Sequence, residues 1–435
     1  MKTCLIISIL FFALSAGAKE KFKRVEFTGT LQNIVLVRTD SDFDRTKPFY
    51  NVNRQGVGAI ATIFDPAVKV NITRNLFVYY QAELGLNYWS KNNPDQENTL
   101  SNDIFVLKHR QVFVQGLVLN KTMEFKVGYQ YLTDPTGLFV SHWIGAAKMG
   151  WHGRNHSVGV LFAQFPDAQW EGITIDKNNF RHDISMGGLY YNGRVRDWRI
   201  RAWAVGLYDA HVPGKEVFLA IPSISVAWQS KYSGITLSAL MQAGVQRHGA
   251  IDRSNATMLS YAAQVNAWWR YKGLRISANI FTLGADDSHK GNRFRGGMLY
   301  SGKNTSATLY LTEDEVRDWY DNVDERVGTT EGAFFSMRPG LVVGDLTIQY
   351  AFLDWLSLRG IVGTSMVTNP ENAMGARYVG TEGDIQVLFG KAPLSASITV
   401  GAVGPGRAGA ALVNLIDRTA IDPVVYVEAS LNVRF

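Results

Sequence analysis

Beyond its first two dozen residues, the chain alternates apolar and polar side chains in segments of about ten residues, broken by turns, all the way to its last residue. Side chains along an extended strand point alternately to opposite faces, so a period of two means strands with one apolar and one polar face. Leu76, Val78, Tyr80, Ala82, Leu84, Leu86 and Tyr88 share one face, against Gln81, Glu83, Asn87 and Trp89 on the other. Met123, Phe125, Val127, Tyr129 and Tyr131 oppose Glu124, Lys126 and Gln130, and Leu259, Tyr261, Ala263, Val265, Ala267, Trp269 and Tyr271 oppose Ser260, Gln264, Asn266 and Arg270. A crossing helix needs ~20 consecutive apolar residues. The apolar runs at 235–245 and 261–271 are interrupted at nearly every second position, which excludes helical crossing.

The first segment is of another kind. Lys2, the apolar run Leu5 to Leu14 and the small residues Ala16, Gly17 and Ala18 have the anatomy of a secretory signal peptide. Residues 1–18 are expected to be removed, leaving 19–435 as one unit without a domain boundary. The single cysteine, Cys4, leaves with the signal, so no disulfide is available to the mature chain. It also lies too far upstream of the cleavage site to carry a lipid.

A strand with one apolar and one polar face suits a half-buried soluble sandwich, or a barrel wall between lipid and a watery lumen. Two observations favour the barrel. Many apolar faces end in Tyr or Trp, as aromatic girdles at two membrane interfaces require. Turn lengths also alternate. Short candidates are Thr73-Arg74-Asn75, Asn120-Lys121, Asn192-Gly193, Tyr271-Lys272-Gly273, Leu353-Asp354 and Gly390-Lys391, with weaker ones at Arg154-Asn155 and Lys303-Asn304. Asn192-Gly193 has the strongest local signal, since both residues accept the positive φ of a type I′ hairpin. Long polar stretches fall between them at 39–54, 90–103, 164–179, 311–331 and 404–423. The expected fold is all-β: an antiparallel transmembrane β-barrel of about 18 strands, within a range of 16–20, with short periplasmic turns and long extracellular loops.

The end of the chain carries the most specific pattern. Val425, Val427, Ala429, Leu431, Val433 and Phe435 share one face, against Tyr426, Glu428, Ser430, Asn432 and Arg434. With the signal segment, this final strand ending on Phe resembles the Gram-negative outer-membrane porins. The stretch from Val127 to Trp151, with Gly128-Tyr129-Gln130, is similar to a region of alginate-export and anion-selective porins. The resemblance implies an outer-membrane location amid lipid and lipopolysaccharide, recognition of the strand ending at Phe435 by the barrel-assembly machinery, and passive diffusion of small hydrophilic solutes. It also admits a selective exporter or channel for an anionic saccharide or other anion. From another class, a structural or adhesion barrel with a plugged lumen is open too, as is a homo-oligomer. No enzyme, cofactor or nucleic-acid partner is expected.

Other motifs have plainer readings. Gly404-Pro405-Gly406-Arg407-Ala408-Gly409 matches G-x-G-x-x-G, but a dinucleotide site needs a βαβ unit, and the next element is the final membrane strand, so an outer loop is expected. His152 and His156 are four apart but flank a turn, and no G-x-S-x-G or H-E-x-x-H occurs. The acidic run from Glu313 to Glu325 is open to two readings, a solvated surface or a calcium site.

The expected lumen charges are Glu83, Glu124, Lys126, Arg199, Arg201 and Arg359. Arg199 and Arg201 face inward if Trp198, Ile200, Ala202 and Ala204 face lipid, where a midplane Arg costs ~2–4 kcal/mol. Arg194 and Arg196 are read as snorkelling at the periplasmic interface. Thr133 to Gly145 is the third outer loop in order, the one that in many porins folds back into the barrel. Its Leu138, Phe139, Val140, Trp143 and Ile144 are too apolar to stay in water, since burial gains ~25 cal/mol per Å². Asp134 and His142 would then project toward the axis, opposite the wall charges.

Overall fold

The computed structural model describes residues 24–39, 56–89, 106–165, 184–209, 216–246, 256–285, 298–300, 335–337, 340–413 and 421–435. The expected signal segment, the Lys303-Asn304 turn and the acidic run lie outside them. Long strands succeed one another: β1 (Val25–Thr39), β2 (Gly56–Thr73), β3 (Leu76–Trp89), β4 (Val106–Val118), β5 (Met123–Thr133), β6 (Ser141–His152) and β7 (His156–Phe165). Next come β8 (Ile184–Val195), β9 (Trp198–Asp209), β10 (Val217–Gln229), β11 (Ser233–Gln246), β12 (Ala256–Tyr271) and β13 (Leu274–Leu283). A short pair, β14 (Met298–Tyr300) and β15 (Phe335–Met337), stands apart as a two-stranded sheet. The series ends with β16 (Leu341–Leu353), β17 (Leu356–Met366), β18 (Tyr378–Lys391), β19 (Leu394–Pro405) and β20 (Val424–Arg434).

Apart from β14 and β15 these form one 18-stranded antiparallel sheet. Each strand pairs with its sequence neighbour, and β1 pairs with both β2 and β20, so the sheet closes on itself. Closure leaves no unpaired edge, the condition for strands in hydrocarbon, where an unmade backbone hydrogen bond costs several kcal/mol. The seam is completed by Phe435, whose amide donates to Gly29 O at 3.1 Å and whose carbonyl accepts from Gly29 N at 3.0 Å.

The outer surface is apolar. Val127, Val160, Leu237, Val265, Ile280, Ile348, Val362 and Ile385 are all exposed there. Aromatics border this belt at both ends: Trp151, Trp198, Trp269, Tyr271, Tyr350 and Trp355 near the periplasmic turns, and Tyr131, Tyr208, Phe218, Tyr261 and Tyr378 near the outer loops. Among the described residues no helix is long and apolar enough to cross a membrane. The strands are what cross.

The short turns agree with expectation at Arg74-Asn75, around Asn120-Lys121, at Gly153 to Asn155, at Lys272-Gly273 and at Asp354-Trp355. Two do not. Asn192 and Gly193 lie inside β8, opposite Arg201 and Ile200, and the chain turns at Arg196-Asp197, with Arg196 at φ 52°. Gly390-Lys391 likewise belongs to β18, and the turn is Ala392-Pro393. In both cases local turn propensity yields to register. The turns fall four and two residues beyond the local signals, and each strand keeps its apolar face on the same side.

The core sits inside the barrel, at its outer end. Leu161, Ala163, Met186, Val205, Leu207, Leu219, Ile221, Phe281, Leu341, Val343 and Val403 point inward from the outer ends of their strands and are buried together. Three loop elements help cover them: residues 134–140, a 3-10 turn at Pro370–Ala373, and the short helix α1 (Arg407–Val413). The G-x-G-x-x-G stretch thus ends β19 and opens α1, but β20 returns antiparallel to β19, so no βαβ unit forms. Gly406 is needed there for close approach: a Cβ would lie 2.3 Å from the carbonyl oxygen of Tyr378.

Candidate functional site

The candidate site is the inner face of the wall, and strand parity decides which side chains reach it. In β9 the inward set is Arg199, Arg201, Trp203, Val205, Leu207 and Asp209, while Trp198, Ala204 and Tyr208 are exposed on the outer face. Both arginines come directly after the turn, so they lie in the periplasmic half, below the apolar core. Arg194 shares their inner face, paired with Arg199 across β8 and β9. That corrects its reading as an interfacial residue: Val195 takes the lipid side, and the strand runs four residues further than the Asn-Gly signal suggested.

On β5, Glu124 and Lys126 alternate with lipid-facing Met123, Phe125 and Val127. Glu124 accepts from Gln115 Nε2 and meets His152 Nε2 at 2.9 Å. Lys126 is paired in register with Lys148. Each ammonium lies over an aromatic face, Lys126 Nζ at 3.8 Å from the Phe113 centroid and Lys148 Nζ at 4.8 Å from that of Tyr190. The Tyr190 ring fits because Gly150 and Gly159 leave room for it. Cation–π attraction holds both ammonium groups against the wall despite their like charge.

Glu83 faces inward from β3 and accepts from Arg110 Nε at 2.7 Å. Arg359, on β17, donates from Nη1 to Gln386 Oε1 at 3.1 Å and from Nη2 to Gln349 Oε1 at 3.3 Å. Two glutamines on the flanking strands thus hold its guanidinium across the sheet.

Asp134 does not fit the expected geometry, whereas His142 shares the inner-face positions of β6 with Ile144 and Lys148. The loop is only residues 134–140, because Ser141 to Gly145 are already β6, and His142 pairs with Leu132 across β5 and β6. Asp134 is 1% exposed and its carboxylate turns back on its own loop. Oδ1 accepts from Phe139 N and Val140 N, both at 3.0 Å, and Oδ2 accepts from Thr136 N at 2.9 Å and from Thr136 Oγ1. A buried carboxylate with four donors in reach organises a loop rather than projecting into a channel. The apolar loop residues are buried as expected: Leu138 3%, Phe139 0% and Val140 0%, with Ile144 at 0% beside them. Trp143 is the exception. It faces outward, its ring 5.2 Å from that of Tyr131, because it falls on the odd positions of β6 with Met149 and Trp151.

Register links the residues into rows. One runs Arg194, Arg199, Ala227, Thr236, Asn266, Asn279, Asp345, Gly363, Glu382. Tilted, staggered strands make such a row climb as it goes round the barrel. It starts with cations at the periplasmic end of one wall and ends with carboxylates near the outer end of the wall almost opposite. Hydrogen bonds tie its later part together, Gln264 Nε2 to Asn279 Oδ1 at 2.8 Å and Asn279 Nδ2 to Asp345 Oδ2 at 3.0 Å. Asp384 and Tyr426 adjoin its end, the Tyr426 hydroxyl lying 2.8 Å from Glu382 Oε1 and 2.5 Å from Asp384 Oδ1. Lys148, Arg275, Asp345, Glu382 and Asp384 were not singled out from sequence, although their alternation with lipid-facing neighbours was a signal for each.

No protein-family model matches the chain, and no curated protein sequence does. Solved structures do share its fold. OccK9 (OpdG) of Pseudomonas aeruginosa aligns at TM-score 0.58 and 11% identity, over 96% of this chain and 100% of that one. OpdK of the same organism, solved with vanillate, aligns at 0.54 and 10%, over 94% and 98%. The outer membrane protein OprD, also of P. aeruginosa, aligns at 0.53 and 8%, over 97% and 96%. The closed 18-stranded barrel is therefore the fold of bacterial outer-membrane porins.

Proposed function

We propose that the chain is a passive channel of the bacterial outer membrane for small hydrophilic solutes, with a preference for anions. The observation that carries the preference is the accessibility of charge. Arg194, Arg199, Arg201, Arg270 and Arg275 are exposed on the inner face, while Asp345, Glu382 and Asp384 are buried at 8%, 0% and 3%. Glu83 lies against Arg110, Glu124 against His152, and Glu26 pairs with Lys69 at 3.3 Å. Asp209 is buried at 4%, and Asp65 and Glu428 are half-buried on other strands. Exposed cations in a narrow passage with low-dielectric walls raise the local concentration of anions and lower the barrier to their transit. Vanillate, bound in the similarly folded OpdK, has the charge such a passage favours.

The apolar core at the outer end supports narrow, solute-selective passage over a wide pore, and favours a plugged structural barrel as the second reading. Purified protein in planar bilayers under a KCl gradient separates the two. A reversal potential of the sign set by chloride supports the proposal. A cation-selective current removes the anion preference, and no current from folded protein leaves the plugged barrel. As further parts of this reading, outer-membrane lipid and lipopolysaccharide bathe the apolar belt, the assembly machinery reads the strand ending at Phe435, and copies associate through their lipid-facing walls.

A further inference from the structure

At the periplasmic mouth, the turn between β12 and β13 borders a cavity of about 280 Å³, with Trp268, Arg270, Lys272 and Arg275 among its lining residues. Trp268, Arg270 and Arg275 all point to the inner face, and the two arginines are register partners. The indole lies close against β11, where a Cβ on Gly234 would come within 2.6 Å of its Nε1. Both guanidiniums gather round it, with Arg270 Cζ 5.5 Å and Arg275 Cζ 5.7 Å from the ring centroid. Those distances are within reach of a cation–π contact. Arg270 is fixed further, its Nε donating to Lys231 O at 2.8 Å.

Two guanidiniums thus share one wet cavity. Among the described residues no carboxylate forms an ion pair with either. Lys272 borders the cavity as well, but its Nζ lies 5.4 Å from the ring of Tyr271, which faces lipid, so it is the two arginines that gather round the indole. Like charges held this close repel unless a counter-ion sits between them. Each guanidinium presents a planar fork of donors that matches two oxygens of one anion. A monocarboxylate would satisfy one fork and leave a net positive charge. A doubly charged tetrahedral oxyanion has enough oxygens for both forks and enough charge to neutralise both.

We infer that Arg270, Arg275 and Trp268 form a binding site for a dianionic tetrahedral oxyanion, a phosphate or phosphate monoester group, at the periplasmic mouth of the lumen. Occupancy neutralises the cation pair that an anion meets on leaving the barrel, so the site links periplasmic phosphate to passage through the mouth. The site does not depend on the lumen conducting, and its test is binding.

Radiolabelled inorganic phosphate is dialysed to equilibrium against the full-length folded protein in detergent at low ionic strength, with sulfate and acetate as competitors. The expected result is saturable binding of one phosphate per chain, displaced by sulfate and not by acetate at the same concentration. In Arg270→Gln/Arg275→Gln, affinity falls ~10-fold or more, the scale of losing charge-assisted hydrogen bonds. Heat-modifiable gel mobility checks folding, and the single variant Arg275→Gln replaces the double one if that fails to fold. Arg74→Gln, a cation at a different periplasmic turn, should bind as the wild type does. No saturable binding, equal displacement by acetate, or undiminished binding in the folded arginine variants would overturn the assignment.

Discussion

Replacing Asp134 by Ala should free the loop that closes part of the outer mouth. In the native loop the carboxylate accepts from three backbone amides, Thr136 at 2.9 Å and Phe139 and Val140 at 3.0 Å, and from the Thr136 hydroxyl. That hydroxyl in turn accepts from Leu138 N at 3.1 Å, so one side chain organises the whole turn. Alanine leaves three amides without their acceptor in a place where Phe139 and Val140 are 0% exposed. Each unmet buried donor costs ~1–3 kcal/mol. Even the low end, about 3 kcal/mol for the three, shifts a closed-to-open equilibrium by ~100-fold. The loop then opens to hydrate its amides, and the apolar mouth loses part of its cover. Limited proteolysis of folded protein reads this directly as new cleavage within 134–140, and single-channel recording reads it as larger or noisier conductance. Asp134→Asn should fall between, since Oδ1 still accepts two amides while its NH2 meets the Thr136 amide donor to donor. Protease resistance equal to wild type in folded Asp134→Ala would refute the view that this carboxylate holds the loop.

Reversing two accessible inner-face charges in Arg199→Glu/Arg201→Glu should move the reversal potential toward cation preference without loss of heat-modifiable folding; unchanged selectivity through an open channel would place the constriction elsewhere. Gly128→Ala should destabilise the barrel by about 1–3 kcal/mol from backbone strain alone, because Gly128 has φ 133° and a Cβ would lie 2.3 Å from Val112 O. Denaturant titration of the folded gel band measures that, and no loss of stability would show that β4 and β5 can adjust. Phe435→Ser removes a ring stacked 5.8 Å from that of Phe64 but keeps the backbone pairing with Gly29. It should slow assembly by reconstituted barrel-assembly machinery, and an undiminished rate would rule out the ring as the recognised feature.

Period-two alternation is a local property, written in consecutive residues, so it was legible in the sequence wherever one face meets lipid and the other does not. It determined the strands, the aromatic ends, the expected 18-stranded closure and the inward parity of Glu83, Glu124, Lys126, Arg199, Arg201 and Arg359. Where a strand turns was less legible, because Asn192-Gly193 has the stronger local propensity but Arg196-Asp197 keeps β8 and β9 in register with their neighbours. Only the tertiary structure decided which inward residues meet. Register between strands places Arg275 beside Arg270, Lys148 beside Lys126 and Tyr426 against Glu382 and Asp384, and no spacing along the chain encodes those meetings. The fate of Asp134 was hidden for the same kind of reason. A carboxylate in an apolar loop can turn to the channel or to its own backbone, and the choice falls to the buried amides of residues 136, 139 and 140, which need an acceptor once Phe139 and Val140 enter the core.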